Sequence, residues 1–161
     1  MNRLLPIQAV LLLILCTGCS SFPRSNVGEG THCQSSETQS RKIVLDFYEQ
    51  ALVRLQPRAA FERYVADSFV EHKPDVPEGT KAATILFLEE LIAGMPEPQW
   101  EIVRTIAENE LVFVHARFAP AAGAQPYAIA DVFRLHDCKI VEHWDVVAGP
   151  SKDARNPHPR F

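Results

Sequence analysis

The sequence KIVEHWDVV at residues 139–147 decides the fold class of this chain. Polar and apolar side chains alternate along it with a period of two, which is typical of a strand. One face carries, in chain order, Val141, His143, Asp145 and Val147. The other face carries Glu142, Trp144 and Val146. Because an unpaired charge on an apolar face costs free energy, His143 and Asp145 are predicted to be paired or functional.

Three more period-two segments precede this strand, at residues 100–106, 111–118 and 127–135. Turn-forming residues follow the first segment at residues 108–109 and the third at residues 136–138. Four consecutive strands with such connections predict an antiparallel meander.

The residues before this meander are predicted to form three helices. Ser36 and Gln39 fit a capping box at the start of a helix that runs to Leu55. Pro57 suits the first turn of a second, short helix, and Thr80 can cap a third helix that ends at Gly94. Residues 67–79 are predicted to be a loop with a short extended piece at residues 69–72. Helices followed by a meander predict an α+β domain whose curved sheet leaves a concave face for a small-molecule pocket.

A second carboxylate lies among apolar residues on the third predicted strand. The face that carries Asp131 also carries Tyr127, Ile129 and Phe133. Together, Asp131, His143 and Asp145 predict a cluster whose members shift one another's pKa values, as acid/base groups do. Taken alone, His72 and His115 are interpreted as hydrogen-bonded histidines that have a structural role and no catalytic one.

Several function classes are disfavoured by the sequence. The net charge of −4 shows no basic footprint for nucleic acid. His72, His115, His143 and two aspartates could in principle bind zinc, but no HExxH or CxxC spacing supports a metal site, so none is expected. The sequence also contains no GxSxG elbow and no glycine-rich phosphate loop.

The N-terminal residues are predicted to be a targeting signal rather than part of the fold. Residues 1–18 have the charge, apolar run and small residues of a secretory signal peptide. Residues 15–19, LCTGC, resemble a bacterial lipobox, which implies acylation of Cys19 and a membrane anchor at the cell envelope, facing the periplasm or on the outer membrane. The alternative is cleavage near Gly18 and secretion of a soluble protein. Residues 19–35 then form the lipidated cysteine and a flexible tether.

Two cysteines remain for the folded part, Cys33 and Cys138. In an oxidising compartment they could form a disulfide, and two free or buried thiols are the alternative.

Three motifs resemble the SnoaL-like family. Residues 64–79 resemble the family motif Y…I.HNP..PDG, and residues 130–134, ADVFR, resemble the family motif ADIFR. Residues 139–146, KIVEHWDV, are similar to GKIVEHWDV. With residues 112–115, the resemblance covers about residues 40–148. Lys73 replaces the usual asparagine beside His72, and Cys138 replaces the usual glycine of the last turn, which favours the disulfide.

The resemblance implies the nuclear transport factor 2-like cone, with three N-terminal helices packed in a strongly curved antiparallel sheet. We therefore expect this domain at residues 36–148, followed by an irregular tail at residues 149–161. For some members the family implies polyketide-cyclase-type aldol chemistry without a cofactor. By motif position Asp145 would be the acid/base group, with Asp131 and His143 beside it.

A small, mainly apolar carbonyl compound is the substrate that this resemblance implies. The candidate ligand-binding residues are His72, His115, Tyr64 and Tyr127. The alternative function is a non-catalytic ligand- or partner-binding lipoprotein domain, because many proteins of this fold are binding modules. A homodimer formed through the outer sheet face, with Trp100 and Trp144 as candidate contacts, is a further expectation, and burial of either tryptophan in the core is the alternative.

Overall fold

A computed structural model describes residues 36–151, 153–158 and 160–161 of the 161-residue chain. The predicted signal peptide, Cys19, the tether and Cys33 lie outside the described residues.

The helices precede most of the sheet, as predicted. Helix α1 spans Glu37–Tyr48 and continues as a π-helical turn at Glu49–Val53. Helix α2 spans Pro57–Tyr64, a 3₁₀ turn spans Pro77–Gly79, and helix α3 spans Lys81–Ala93. The strands are β1 (Val65–Glu71), β2 (Gln99–Glu108), β3 (Leu111–Ala119), β4 (Tyr127–His136) and β5 (Lys139–Ala148).

Side-chain caps start two of the helices. The Ser36 hydroxyl accepts a hydrogen bond from the backbone N–H of Gln39 at 3.3 Å, and the Thr80 hydroxyl accepts one from Ala83 at 3.3 Å. Each cap satisfies a donor that the first turn of a helix leaves free. The predicted helix starts at Ser36 and Thr80 are therefore confirmed.

The sheet contains one more strand than the sequence predicts. Its order is β1-β5-β4-β3-β2, in which the four strands β2 to β5 form the predicted antiparallel meander. Strand β1 pairs with β5 in parallel, with Glu71 opposite His143. The expectation of a loop from residue 67 was wrong. Strand β1 gives a weak hydrophobic signal because one of its inward positions carries the charged Glu71, which is buried.

Two bulges change which side chains face inwards. Between β4 and β5 the register shifts, so that Ile140 pairs with Leu135 whereas Glu142 pairs with Arg134. Ile140 is therefore fully buried, in the place where simple alternation predicts Val141. A similar shift in β2 follows Ile102 and leaves Ile106 61% exposed. An extra residue in a strand reverses the facing of the residues beyond it.

The helices pack against the concave face of the sheet through aromatic side chains. The Phe47 ring meets Phe61 and Phe133 edge to face, at centroid distances of 5.2 and 5.8 Å. Trp100 is buried and stacks on Phe118 at 4.4 Å, so it belongs to the core rather than to the outer face. Trp144 lies on the outer face, where it stacks on His72.

The turn between β4 and β5 has two residues with positive φ, Asp137 at 48° and Cys138 at 57°. This conformation explains why glycine suits the second position. Cys138 is disulfide-bonded. Because Cys33 lies outside the described residues, its pairing with Cys138 stays a prediction.

Within the described part of the chain, no helix is long and apolar enough to cross a membrane.

Gly79 offers a test of the connection between β1 and α3. Its φ is +59°, and an added Cβ would lie 2.5 Å from the backbone oxygen of Glu71. We expect Gly79→Ala to lower the free energy of unfolding by about 2–4 kcal/mol, because backbone strain and a clash with main chain add together. Urea unfolding measures this change.

Gly123→Ala is the matched control for Gly79→Ala. Its φ of +75° imposes the same kind of strain, but nothing lies within 4 Å of the added Cβ. A loss of about 1 kcal/mol is expected there. Equal losses in the two variants would contradict the close approach to Glu71.

Candidate functional site

A cavity of about 390 Å³ lies between the helices and the concave face of the sheet. Most of its wall is apolar and aromatic, including Phe47, Phe61, Phe69, Trp100, Phe118 and Phe133. Its charged lining residues are Glu71, Lys73, Asp75, Asp131, His143 and Asp145. A mainly apolar pocket with a few convergent polar groups is the usual form of a small-molecule site.

Strands β1, β5 and β4 bring together Glu71, His143 and Asp131. The imidazole Nδ1 of His143 lies 2.9 Å from Oε2 of Glu71, and its Nε2 lies 3.1 Å from Oδ1 of Asp131. The parallel register places Glu71 beside His143, and on the other side the Phe133 ring stacks on the imidazole at 4.6 Å. Both ring nitrogens of His143 therefore contact a carboxylate, and Phe133 packs against one face of the ring.

The two carboxylates determine the ionisation of His143. Burial alone would lower its pKa, but the hydrogen bonds and charges of Asp131 and Glu71 outweigh burial and raise the pKa to about 10. At neutral pH the ring is an imidazolium that donates one hydrogen bond to each carboxylate. His143 thus holds these carboxylates in place and is not available as a general base.

The hydroxyl of Tyr48 and the second oxygen of Asp131 are both buried in the cavity wall. Burial first, and then the nearby charge of Asp131, raise the pKa of the Tyr48 hydroxyl well above its ordinary value. Tyr48 and Asp131 therefore add a second polar contact to the otherwise mainly aromatic wall.

Asp145 belongs to a second charged group. Its Oδ2 lies 2.9 Å from Nζ of Lys73, which is also 3.3 Å from Oδ2 of Asp75. Burial lowers the pKa of Lys73, but the hydrogen bonds and charges of Asp145 and Asp75 raise it more, so the net shift is upwards. Lys73 is an ammonium ion, and Asp145 is its mostly buried partner.

Asp131 and Asp145 face each other across the β4–β5 pair. This pairing brings the two carboxylates to one part of the cavity wall, each beside a different cation. Around the cavity, carboxylates outnumber cationic side chains by four to two.

The structure brings together only some of the predicted site residues. Asp131, His143, Asp145 and Tyr127 line the cavity. Three candidate ligand-binding residues do not, namely His72, His115 and Tyr64.

Local pairing explains where these three side chains lie. His115 accepts a hydrogen bond from Arg104 at 3.1 Å on the outer face of the sheet. His72 lies 3.2 Å from Glu142, also outside the cavity. Arg63 stacks over the Tyr64 ring at 5.3 Å. These three side chains therefore lie outside the described cavity, and a ligand-binding role for them stays a prediction.

Several polar cavity residues were not predicted as site residues, among them Tyr48, Glu71, Lys73 and Asp75. Glu71, Lys73 and Asp75 fall in the segment predicted to be a loop, and Tyr48 falls in the first predicted helix. The extended piece at residues 69–72 was the available signal for Glu71. For Tyr48 the spacing gives no signal, because a tyrosine fits an apolar helix face equally well.

Among the described residues, no group of three or more histidine, cysteine, aspartate or glutamate side chains is arranged to hold a metal ion. The cluster is held by hydrogen bonds between oppositely charged side chains.

A family model described as the SnoaL-like domain matches residues 44–143. This range contains Glu71, Asp131 and His143 and ends two residues before Asp145. No functionally curated protein matches the chain significantly.

Several solved structures share the fold. AclR, a proposed hydroxylase from Streptomyces galilaeus, is 20% identical, with a TM-score of 0.58 over 70% of this chain and 90% of its own. A proposed SnoaL-like polyketide cyclase from Jannaschia sp. CCS1 is 20% identical, with a TM-score of 0.57 over 68% and 85%. An NTF2-like protein of unknown function from Mesorhizobium loti is 21% identical, with a TM-score of 0.57 over 71% and 95%. The predicted fold is thereby confirmed.

The raised pKa of His143 predicts how stability depends on pH. A pKa that is higher in the folded chain stabilises the fold fully below pH 6.5, and this contribution is lost as the pH rises to about 10. We expect the free energy of unfolding to fall by about 2–5 kcal/mol over this window through His143 alone. Urea unfolding at several pH values, compared with His143→Gln, isolates the contribution.

His115→Gln is the control for this titration, since His115 lies on the outer face of the sheet. It should retain the pH dependence of the wild type. Persistence of the full slope in His143→Gln would contradict the assignment.

Proposed function

The chain belongs to the SnoaL-like domain family, and on this basis we propose that it binds a small, mainly apolar carbonyl compound and transfers a proton within its cavity. The observation that carries the proposal is the pair Asp131 and Asp145, which face each other across adjacent strands in a mainly aromatic cavity. A carboxylate fixed beside an apolar substrate can act as a general acid or base.

Asp145 is the proton acceptor in this proposal. Its carboxylate takes a proton from the carbon next to the substrate's carbonyl. The electrons of that C–H bond form a carbon–carbon double bond, and the carbonyl electrons move to oxygen, which produces an enolate. In an aldol-type reaction the enolate carbon then attacks a second carbonyl of the substrate. The protonated Asp145 gives its proton to the new alkoxide, which restores the Asp145 carboxylate.

Glu71, His143 and Asp131 act as a rigid support for this chemistry. The imidazolium of His143 uses both N–H groups on its neighbours, so it positions Asp131 and does not itself exchange protons with substrate. Groups held in advance in this way need little reorganisation during the reaction. The sequence of steps requires no cofactor.

The second candidate is ligand binding without catalysis. It is favoured by the Lys73–Asp145 ion pair, because the Asp145 carboxylate already accepts a hydrogen bond from an ammonium. The two candidates differ in one measurable property, which is proton exchange at carbon.

Exchange of carbon-bound protons tests the proposed function. The probe is 2-tetralone, an apolar ketone with acidic protons, in D₂O with NMR detection. We expect the protein to accelerate the exchange, and Asp145→Asn to lower the acceleration by a factor of roughly 10²–10⁴.

Glu142→Gln is the matched control, because this carboxylate lies on the same strand and faces away from the cavity. It should exchange 2-tetralone at the rate of the wild type. Binding of 2-tetralone without any accelerated exchange would favour the non-catalytic alternative, and equal rates for Asp145→Asn and wild type would exclude Asp145 as the base.

We also propose that the domain is held at the cell envelope as a lipoprotein. The support is the signal-like sequence of residues 1–18 and the lipobox-like residues 15–19.

We also propose that the domain forms a homodimer through the outer face of the sheet. There Trp144 remains a candidate contact, and Val146 is 69% exposed.

Metabolic labelling with radioactive palmitate tests the lipid anchor. We expect label in the wild-type protein and none in Cys19→Ala, because acylation requires that thiol. Cys33→Ala is the control and should keep the label. An unlabelled wild type, or label that persists in Cys19→Ala, would refute the anchor.

A further inference from the structure

Lys73 is the one cationic residue of the described cavity that the proposed proton transfer leaves without a role. It lies two residues beyond Glu71, and its backbone N–H donates a hydrogen bond to that carboxylate at 3.0 Å. Its side chain is only 20% exposed, and it lines the cavity beside Asp145. A lysine held inside an aromatic cavity by short contacts differs from the usual solvated surface lysine.

We propose that Lys73 binds the oxyanion which forms on the substrate's carbonyl oxygen when Asp145 takes the proton. This inference rests on the proposed function and assigns the group that stabilises the charge produced by it.

Charge balance is the first argument. Before the reaction, the ammonium of Lys73 is paired with the Asp145 carboxylate at 2.9 Å. Transfer of the proton neutralises Asp145 and creates a negative charge on the substrate in the same step. The ammonium loses its main partner when the new anion appears beside it, so the ion pair shifts from enzyme to substrate with little movement. An interaction that is stronger in the transition state than before it accelerates the reaction.

The number of donors is the second argument. An ammonium has three N–H groups. One points to Asp145, and another can reach Asp75 at 3.3 Å. The Asp75 carboxylate is 70% exposed, so water screens its hold on Lys73. Lys73 therefore has a donor for a ligand oxygen even while both contacts persist.

The other polar groups of the described cavity are less suited to bind an oxyanion. His143 has committed both of its N–H groups to Glu71 and Asp131. The Tyr48 hydroxyl is buried beside the charge of Asp131. Lys73 combines a positive charge, an uncommitted donor and a position at the cavity wall. A substrate of this site is then a compound whose carbonyl lies beside Lys73 while its apolar body fills the aromatic part of the cavity.

Asp145→Asn provides the test, because the amide imitates the protonated carboxylate and frees Lys73. The probe is 2-naphthol, whose ionised form resembles an enolate and has its own absorption spectrum. We expect the apparent pKa of bound 2-naphthol to be lower in Asp145→Asn than in Asp145→Asn/Lys73→Met by about one unit or more, a tenfold preference for the anion. Lys73→Met keeps the length of the side chain and removes its charge. In the double variant the buried carboxylate of Asp145 is absent too, and the Asp75 carboxylate that remains is 70% exposed to water.

Naphthalene is the neutral control ligand and should bind the single and double variants equally. Equal apparent pKa values of bound 2-naphthol in the two variants, with naphthalene still bound, would overturn the role of Lys73 and leave the proposed function standing. Failure of 2-naphthol and naphthalene to bind any variant or the wild type would overturn the proposed function, and this inference with it. If Asp145→Asn does not fold, Asp145→Ser replaces it in both variants.

A second measurement separates a catalytic from a structural role. Lys73→Met should slow the exchange of 2-tetralone at least tenfold while its binding changes little, since a neutral ketone makes no ion pair with Lys73. A loss confined to binding, with the exchange rate of the bound ketone unchanged, would contradict the proposal.

Discussion

The ion pair between the Glu71 carboxylate and the His143 imidazolium is the contact on which the rest of the site depends. It joins β1, the only parallel strand of the described sheet, to the antiparallel meander at the level where the cavity begins. Because His143 also donates to Asp131, one buried cation orients carboxylates from two neighbouring strands. Removing a partner from such a pair leaves an uncompensated buried charge, which is strongly destabilising. The polar end of the cavity and the edge of the sheet are therefore held by the same interaction.

The charged residues divide into a part that is fixed and a part that can respond. Glu71, His143 and Asp131 are closely hydrogen-bonded, and the pKa of His143 is raised to about 10, so the positive charge of His143 is constant near neutral pH. The ion pair of Lys73 and Asp145 lies farther out, beside the exposed Asp75. Proton transfer requires a group whose charge can change, and binding requires one that stays in position. The cavity contains both kinds of group.

Local chemistry made much of the fold predictable. Helix caps such as Ser36 and Thr80 depend on residues three positions away, and the meander follows from a period of two within each strand. For the same reason Asp131, His143 and Asp145 could be placed on inward faces. Glu71 could not, because its burial depends on a parallel partner about seventy residues later in the chain. His115 was a misleading candidate, since the sequence does not show that the neighbouring strand provides Arg104 as an outward partner.

The sequence by itself determined the three helices, the four strands of the meander, the caps that start two of the helices and the presence of titratable groups on apolar strand faces. These properties depend on neighbours within a few positions, where spacing along the chain is equivalent to position in space. Tertiary structure alone decided which carboxylate received which cation: His143 for Glu71 and Asp131, and Lys73 for Asp145. Those pairs depend on strand register and on bulges such as the one that turns Ile140 inwards. A shift of one residue in register would send each of these side chains to the opposite face of the sheet.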